Sequence, residues 1–438
     1  MERAFRFILY LEDMAGSHFA DTTTYNRKLF FTIVIAALGY FVDVYELLLF
    51  TVVRVPSLTA LGISPEDKKA MLAASTSVIN WQMTGLLIGG IIWGVMGDKR
   101  GRLSVLLGSI LLYSLASFVV GYVQTVQQYA WARFIGGIGL AGELGAGITL
   151  VSELMPKSKR GIGTSLVAGI GLSGAVFAYY MFQFTLDWRL CYKLGGVMGM
   201  FLLFLRIGLA ESLFFEKLKT ARVSKGNFLL FFTNRDRFRK YLLAILVGLP
   251  IWYVAGILFN FSNRFATDLY GSSTVDSGRA TMFGYAATFL GDILVGIISQ
   301  YFKSRKKALF LFYGITITGI CLYFSPFNDS DSRMYAICAL MGFGCGYWAL
   351  FVTMGAEQFG TNLRATAATT IPNMVRGSVP LINFLFKDLF QDNMRYSLLA
   401  SGVVTGVIVM AVTLVATFFT QETFHKDLDY LETEEMMP

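Results

Sequence analysis

Charge is scarce in this 438-residue chain. Asp, Glu, Lys and Arg make up 15% of it, where a soluble domain carries roughly 25%. With 55% hydrophobic residues and a mean hydropathy of +0.57, the deficit excludes an ordinary soluble protein and points to a lipid environment. Cysteine is sparse too. Cys191, Cys321, Cys338 and Cys345 show no CxxC spacing, which argues against a disulfide framework or a zinc site. The two histidines, His18 and His425, lie near the ends, so no metal centre and no cofactor is expected. No HxxxH, GxSxG or DxxD pattern occurs, which disfavours an enzyme. The net charge of +8 is not a nucleic-acid footprint here, because basic residues of multi-span proteins collect in cytoplasmic loops. Residues 1–27 lack the apolar core of a signal peptide. Within them Phe5, Ile8 and Leu9 alternate with Arg3, Arg6 and Glu12, the spacing of a short interfacial helix.

Apolar segments of the length that spans a bilayer, about 20 residues, recur twelve times. They cover 28–55, 73–97, 103–122, 129–154, 161–186 and 192–210, then 241–261, 282–302, 308–324, 334–354, 365–389 and 396–419. Helices are the expected form, since backbone groups in lipid must be satisfied within each segment. Basic residues gather at 99–102, 157–160, 211–240 and 303–307, which places both termini in the cytoplasm. The domains expected are a segment 1–27, a six-helix bundle 28–210, a basic linker 211–240, a second bundle 241–420 and a tail 421–438.

The halves repeat at their edges. Glu153 and Arg160 close the fourth span in "SELMPKSKRG", and Glu357 and Arg364 close the tenth in "AEQFGTNLRA", 204 residues later in each case. The same offset carries "GDKRGR" onto "YFKSRK". Parallel repeats of this kind are found in secondary transporters. Charges at depth do not repeat: Asp43, Arg133, Glu143, Asp292 and Arg376 have apolar or uncharged counterparts.

Those deep charges are the candidate site, because ionisable residues within spans are costly and mark pathways. Asp43 lies roughly 20 Å into the first span, at 1.5 Å per residue. Glu46 follows three residues later, on the same helix face. The pair suits proton exchange; a structural ion pair with Arg133 or Arg54, or direct solute binding, stays open. Arg133 cannot deprotonate and needs an acid or an anion. Glu143 sits nearer mid-membrane, among glycines 136, 137, 139, 142, 145 and 147 that permit close helix packing. Arg376 suits a carboxylate or phosphate; Asn373 lies one turn before it, just after Pro372. Asp292 is either its latch partner or a site residue. Trp252, Tyr253, Tyr347 and Trp348 are candidate lining, with packing as the alternative.

"GVMGDKRGRLSV" resembles the loop between helices two and three of the major facilitator superfamily. Gly94, Asp98, Lys99, Gly101 and Arg102 match it, and Leu103 departs from it. "RFIGGIGLAGE", from Arg133 to Glu143, is similar to the family's fourth-helix motif, and "FFTQETFHKDLDYLE" to its C-terminal segment. The resemblance implies an all-α membrane protein with twelve transmembrane helices in two six-helix pseudo-repeats. It implies that Arg133 faces a cavity and responds to protonation. It also implies an inner gate in which Gly94, Asp98, Arg102, Glu153 and Arg160 latch the first half. In the second half Phe302 stands where the acid would be, so the latch of Glu357 and Arg364 is expected to be weak or absent. The acidic first helix is similar to metabolite:proton and phosphate:proton symporters; "GIGLSGAVFAYY" lacks the glycine–proline step of drug antiporters. The expectation is an alternating-access, proton-coupled symporter of a small anionic organic solute. It would act as a monomer in the bacterial inner (plasma) membrane, with the solute, protons and the lipid bilayer as partners. A uniporter, exchanger or drug/proton antiporter with structural acids is the alternative; a receptor is disfavoured by the short loops and tails.

Overall fold

The computed structural model describes residues 22–143, 145, 147, 151, 167, 169–206 and 228–426. The first bundle holds α1 (Thr22–Ala60), α2 (Lys68–Arg100), α3 (Arg102–Val120), α4 (Val126–Leu140), α5 (Gly174–Thr185) and α6 (Trp188–Arg206). The second holds α7 (Arg235–Phe259), α8 (Ser277–Phe302), α9 (Arg305–Tyr323), α10 (Asp331–Glu357), α11 and α12 (Leu398–Phe419). α11 is a run of three pieces, Thr361–Gly377, Val379–Asn383 and the wide turn Phe384–Asn393. Among the described residues nine helices are long and apolar enough to cross a membrane. The described parts of α4 and α5 are shorter, and α11 is interrupted.

Polar residues at the water-facing ends start these helices by accepting the first free N–H groups. Asp67 caps α2 through Lys69 N and Ala70 N, Thr125 caps α4, Asp276 caps α8, Ser304 caps α9 and Ser397 caps α12. Gly101 joins α2 to α3 at φ 96° and ψ 156°, a region essentially reserved for glycine. This is why the loop motif has glycine there.

Among the described residues, three spans of the second half that read as continuous are broken. α7 restarts at Leu249, with Pro250 in its first turn, and widens into a π turn at Val254–Phe259. α10 breaks at residues 345–347. α11 restarts at Val379 beside Pro380. Proline cannot donate its N–H and so relaxes the ladder, and π turns concentrate at functional sites. α7 also begins at Arg235, inside the segment read as linker. Two short helices, Leu230–Thr233 and Ser262–Tyr270, have no counterpart in the span reading.

Within the first bundle α2 packs on α4, α3 on α6, and α1 on α5 and α6; within the second, α8 and α9 pack on α10, and α7 on α12. The bundles meet where α2 lies against α11 and α5 against α8. Glycine makes the tightest of these contacts possible. A Cβ on Gly89 of α2 would stand 2.7 Å from Ile138 Cα of α4, and one on Gly139 of α4 would stand 2.8 Å from Tyr113 Cβ of α3. Around Gly136 and Gly147, in contrast, there is room for a side chain.

Gly89→Val should therefore lower the thermal unfolding midpoint of the detergent-solubilised protein, since overpacking costs about 1–3 kcal/mol. An unchanged midpoint would show that α2 and α4 are not in backbone contact.

Candidate functional site

Two ion pairs hold the first bundle together. Arg133 of α4 reaches Glu46 of α1: Nη1 lies 3.6 Å from Oε2, and Nη2 donates to the Glu46 carbonyl at 2.7 Å. Ser117 of α3 donates to Glu46 Oε1 at 2.6 Å. The Arg133 guanidinium also stacks over the Tyr192 ring of α6, 5.3 Å from its centroid. The second pair joins Arg206, at the end of α6, to Glu143 in a two-pronged contact, with Nη1 donating to Oε2 at 2.8 Å. Both pairs are buried, and a glycine makes room for each. A Cβ on Gly195 would come 2.9 Å from Glu46 Cδ, and one on Gly39 2.8 Å from Arg206 Cζ.

Asp43 is treated differently from Glu46 despite sharing its helix face. It is 0% exposed, and neither carboxyl oxygen has a hydrogen-bond partner. The cation that acts on it most strongly is Arg376 of α11, in the other bundle; Glu143 and Glu46 oppose that attraction.

Arg376 lines a narrow cavity between the bundles, together with Tyr40 and Val44 of α1, Trp252 of α7, Tyr285 of α8 and Trp348 of α10. Its guanidinium sits over Trp348, 5.3 Å from the ring centroid, and donates to Asn373 Oδ1 at 3.1 Å, while its Nε has no partner. The space for water centres is about 20 Å³, where one water needs roughly 10–15 Å³. Inter-bundle hydrogen bonds flank the cavity on both sides. On one side Arg54 of α1 meets Ser277 of α8 and Asn260, Asn383 donates to Asn80, and Arg279 donates to Tyr179. On the other, Thr366 of α11 donates to the Gly94 carbonyl of α2.

Of the residues expected at the site, Arg376, Trp252 and Trp348 line the cavity. Asn373 supports it from behind: its Nδ2 donates to the Ala141 carbonyl at 2.7 Å and to Thr369 O. The α4 helix ends at Leu140, and Trp93 donates to Ile138 O, so α2 and α11 together satisfy carbonyls freed there. Asp292 does not latch Arg376. Its Oδ1 accepts Ala349 N at 2.9 Å and caps the restarted half of α10, a favourable place for a carboxylate. Tyr253 donates to Gly402 O, and Tyr347 packs edge-on to Tyr313. Tyr40 and Tyr285 were not anticipated, because aromatics in spans carry no signal separating lining from packing.

At the gate, Glu153 and Arg160 lie outside the described residues, as do the side chains of Asp98 and Arg102. In the second half Glu357 pairs with Arg305, a residue outside the expected latch. Nε–Oε2 is 2.9 Å and Nη2–Oε1 2.8 Å, and Thr423 donates to the same carboxylate. Glu422, in the segment read as a tail, binds the start of α9. Glu422 accepts from Ser304 Oγ at 2.5 Å and from the N–H groups of Arg305 and Lys306. Burial pushes the Glu422 carboxyl up, but these donors outweigh it and hold it below the usual range. The stability this contributes is present above the unfolded-state value of about 4.3 and is lost as pH falls through the folded value. Arg364 is buried at the same end.

Comparison with known proteins comes out on one side. The family described as Major Facilitator Superfamily matches residues 29–382. A putative metabolite transport protein of Haemophilus influenzae is 27% identical over 358 residues, 78% of this chain and 84% of its own. A putative niacin/nicotinamide transporter of Bacillus subtilis is 23% identical over 389 residues, 87% of this chain and 92% of its own. Among solved structures, a proton:xylose symporter bound to 6-bromo-6-deoxy-D-glucose superposes with a TM-score of 0.71 at 15% identity, covering 91% of this chain and 97% of that one. At that identity the match speaks for the fold alone.

Removing one partner of a buried pair leaves an uncompensated charge, at about 3–5 kcal/mol. Arg206→Met should therefore destabilise the protein by that order in thermal unfolding, and Glu143→Leu/Arg206→Met should recover most of the loss. Equal instability of the single and double variants would contradict the pairing.

Proposed function

The chain belongs to the major facilitator superfamily and is a membrane transporter of small metabolites, and from that premise we propose that it moves a small anionic organic solute together with protons by alternating access. The observation that carries this reading is the inter-bundle cavity. It presents one guanidinium, Arg376, without a carboxylate bonded to it, among aromatic rings that suit a planar or ring-bearing solute. Asp43 lies under the electrostatic influence of that same guanidinium.

In this scheme Arg376 binds the solute carboxylate in a charge-assisted contact. An anion arriving there offsets the attraction that Arg376 exerts on a charged Asp43, so solute binding favours a protonated Asp43. Solute and proton then cross together when the bundles rock. Glu46–Arg133 transmits the change to α3 and α6, and Glu143–Arg206 serves as a fixed brace. Niacin, named for the Bacillus subtilis relative, is a carboxylate at neutral pH and fits the class. The transporter works as a monomer in the bacterial plasma membrane with both termini in the cytoplasm; Arg305–Glu357–Glu422 is the inner gate of the second half.

The test is uptake into proteoliposomes against a panel of anionic metabolites that includes nicotinate, with and without an imposed pH gradient. Asp43→Asn should lose gradient-driven accumulation while keeping solute exchange. Arg376→Gln should raise KM by roughly 10-fold or more, the size expected for a lost charged hydrogen bond of about 1.5–3 kcal/mol. Uptake by Asp43→Asn with unchanged dependence on the gradient would contradict the coupling, and an unchanged KM in Arg376→Gln would contradict the anion contact.

A further inference from the structure

The Arg54 end of the inter-bundle seam has a chemistry of its own. Arg54 is buried near the end of α1, and its hydrogen-bond partners are all neutral. Its contacts are long: Nη1 to Asn260 Oδ1 3.4 Å, Nη2 to Asn263 Oδ1 3.5 Å and Nη2 to Ser277 Oγ 3.3 Å. Its Nε has no partner. A second guanidinium, Arg264 of the short helix Ser262–Tyr270, is close enough to repel it, and Arg264 Nη1 is also buried without a partner. So are Asn260 Nδ2 and Ser262 Oγ. Four buried groups able to donate thus lie without partners at this end of the seam, which carries two positive charges. Asp276 and Asp268 are the nearest acids. Asp276 is committed to capping α8 through Gly278 N and Arg279 N, and Asp268 makes no ion pair with either arginine.

Unpaired buried donors are rare, and each calls for a missing partner. A buried cation without an anion is costlier still. A neutral water satisfies donors but leaves two like charges facing each other. A small oxyanion satisfies both demands, since a carboxylate or phosphate accepts several hydrogen bonds and neutralises a guanidinium. We propose that Arg54, Arg264, Asn260 and Ser262 form a binding site for a small oxyanion, a carboxylate or an inorganic phosphate, separate from the central cavity. Leu47 is the last α1 residue lining the central cavity, and Arg54 lies seven residues beyond it, about 10 Å along the helix, so Arg54 stands outside that cavity. Because Arg54 belongs to the first bundle and the other three to the second, a bound anion ties the bundles together at this end and favours its closure. The site stands on its own residues and goes beyond the transport reading. An anionic solute would meet it before reaching Arg376.

The experiment is thermal unfolding of the full-length protein in detergent, titrated with acetate, benzoate or inorganic phosphate at ionic strength balanced with sodium chloride. Wild type and Arg376→Gln should both show a saturable rise in midpoint with at least one of the three. Arg54→Gln and Arg264→Gln should each weaken the apparent Kd at least about tenfold. A response to acetate or benzoate alone assigns the site to organic acids, and a response to phosphate alone to phosphate. Should Arg54→Gln fail to fold, Arg264→Gln, which is only half-buried, carries the test. The proposal is overturned if no oxyanion stabilises the wild type. It is equally overturned if the Arg54 and Arg264 variants respond as wild type does, or if Arg376→Gln alone abolishes the effect.

Discussion

A guanidinium taken out of water has to find an anion or a ring of acceptors, and the arrangement of the first bundle follows from that demand. Arg133 is paired with Glu46 and with the backbone carbonyl of the same residue, Arg206 with Glu143. The contacts join α1, α4 and α6, and Ser117 draws in α3. Glycines 39 and 195 stand where a side chain would collide with a pair. Among the described residues, Asp43 is a buried carboxyl group of the first bundle without a donor. In the proposed scheme Asp43 and Arg376 act across the seam that rocks, whereas the ion pairs sit inside the body that moves as a unit. Polar groups that retain one arrangement suit a brace. A group with no fixed donor suits a step in which its charge changes.

The second bundle is organised around the cavity by broken helices, with its buried ion pair, Arg305–Glu357, at one end. α7, α10 and α11 are all interrupted beside the cavity. Backbone irregularity at membrane depth is tolerated where protein or a water-lined space satisfies it. Here Asp292 meets the restarted end of α10, and Asn373 binds the loosened end of α4 while holding Arg376. A residue that reads as a solute contact in a sequence can therefore serve one layer further out, as the part that orients the contact.

Much of this was legible beforehand, and the misses have physical causes. Hydrophobic length alone locates most spans, because crossing lipid imposes it. The helix breaks were not legible: Pro250 and Pro380 are visible signals, but nothing in the period of an apolar run shows where its ladder widens. The partner of Glu143 was missed although Arg206 interrupts the run "FLLFLRIGL" and so carried the same warning as Asp43. Arg54 was noticed only as a possible partner for the acids, whereas three-residue spacing on α1 sends Asp43 and Glu46 to different neighbours. The second-half latch was judged from an equivalent position, Phe302, but Glu357 takes Arg305 as its partner, and Glu422, more than a hundred residues on, binds the start of α9. Equivalence by offset identifies which functions recur, not which residue supplies them.

The account turns on Asp43 changing charge when an anion reaches Arg376, and proton counting addresses that step directly. Purified protein in weakly buffered detergent is mixed with an anionic solute that it transports, and the pH change is recorded. The account predicts net uptake of about one proton per solute bound, as linkage requires when one carboxyl takes up a proton, and no uptake in Asp43→Asn. Binding with no proton exchange, or uptake that persists undiminished in Asp43→Asn, would contradict it.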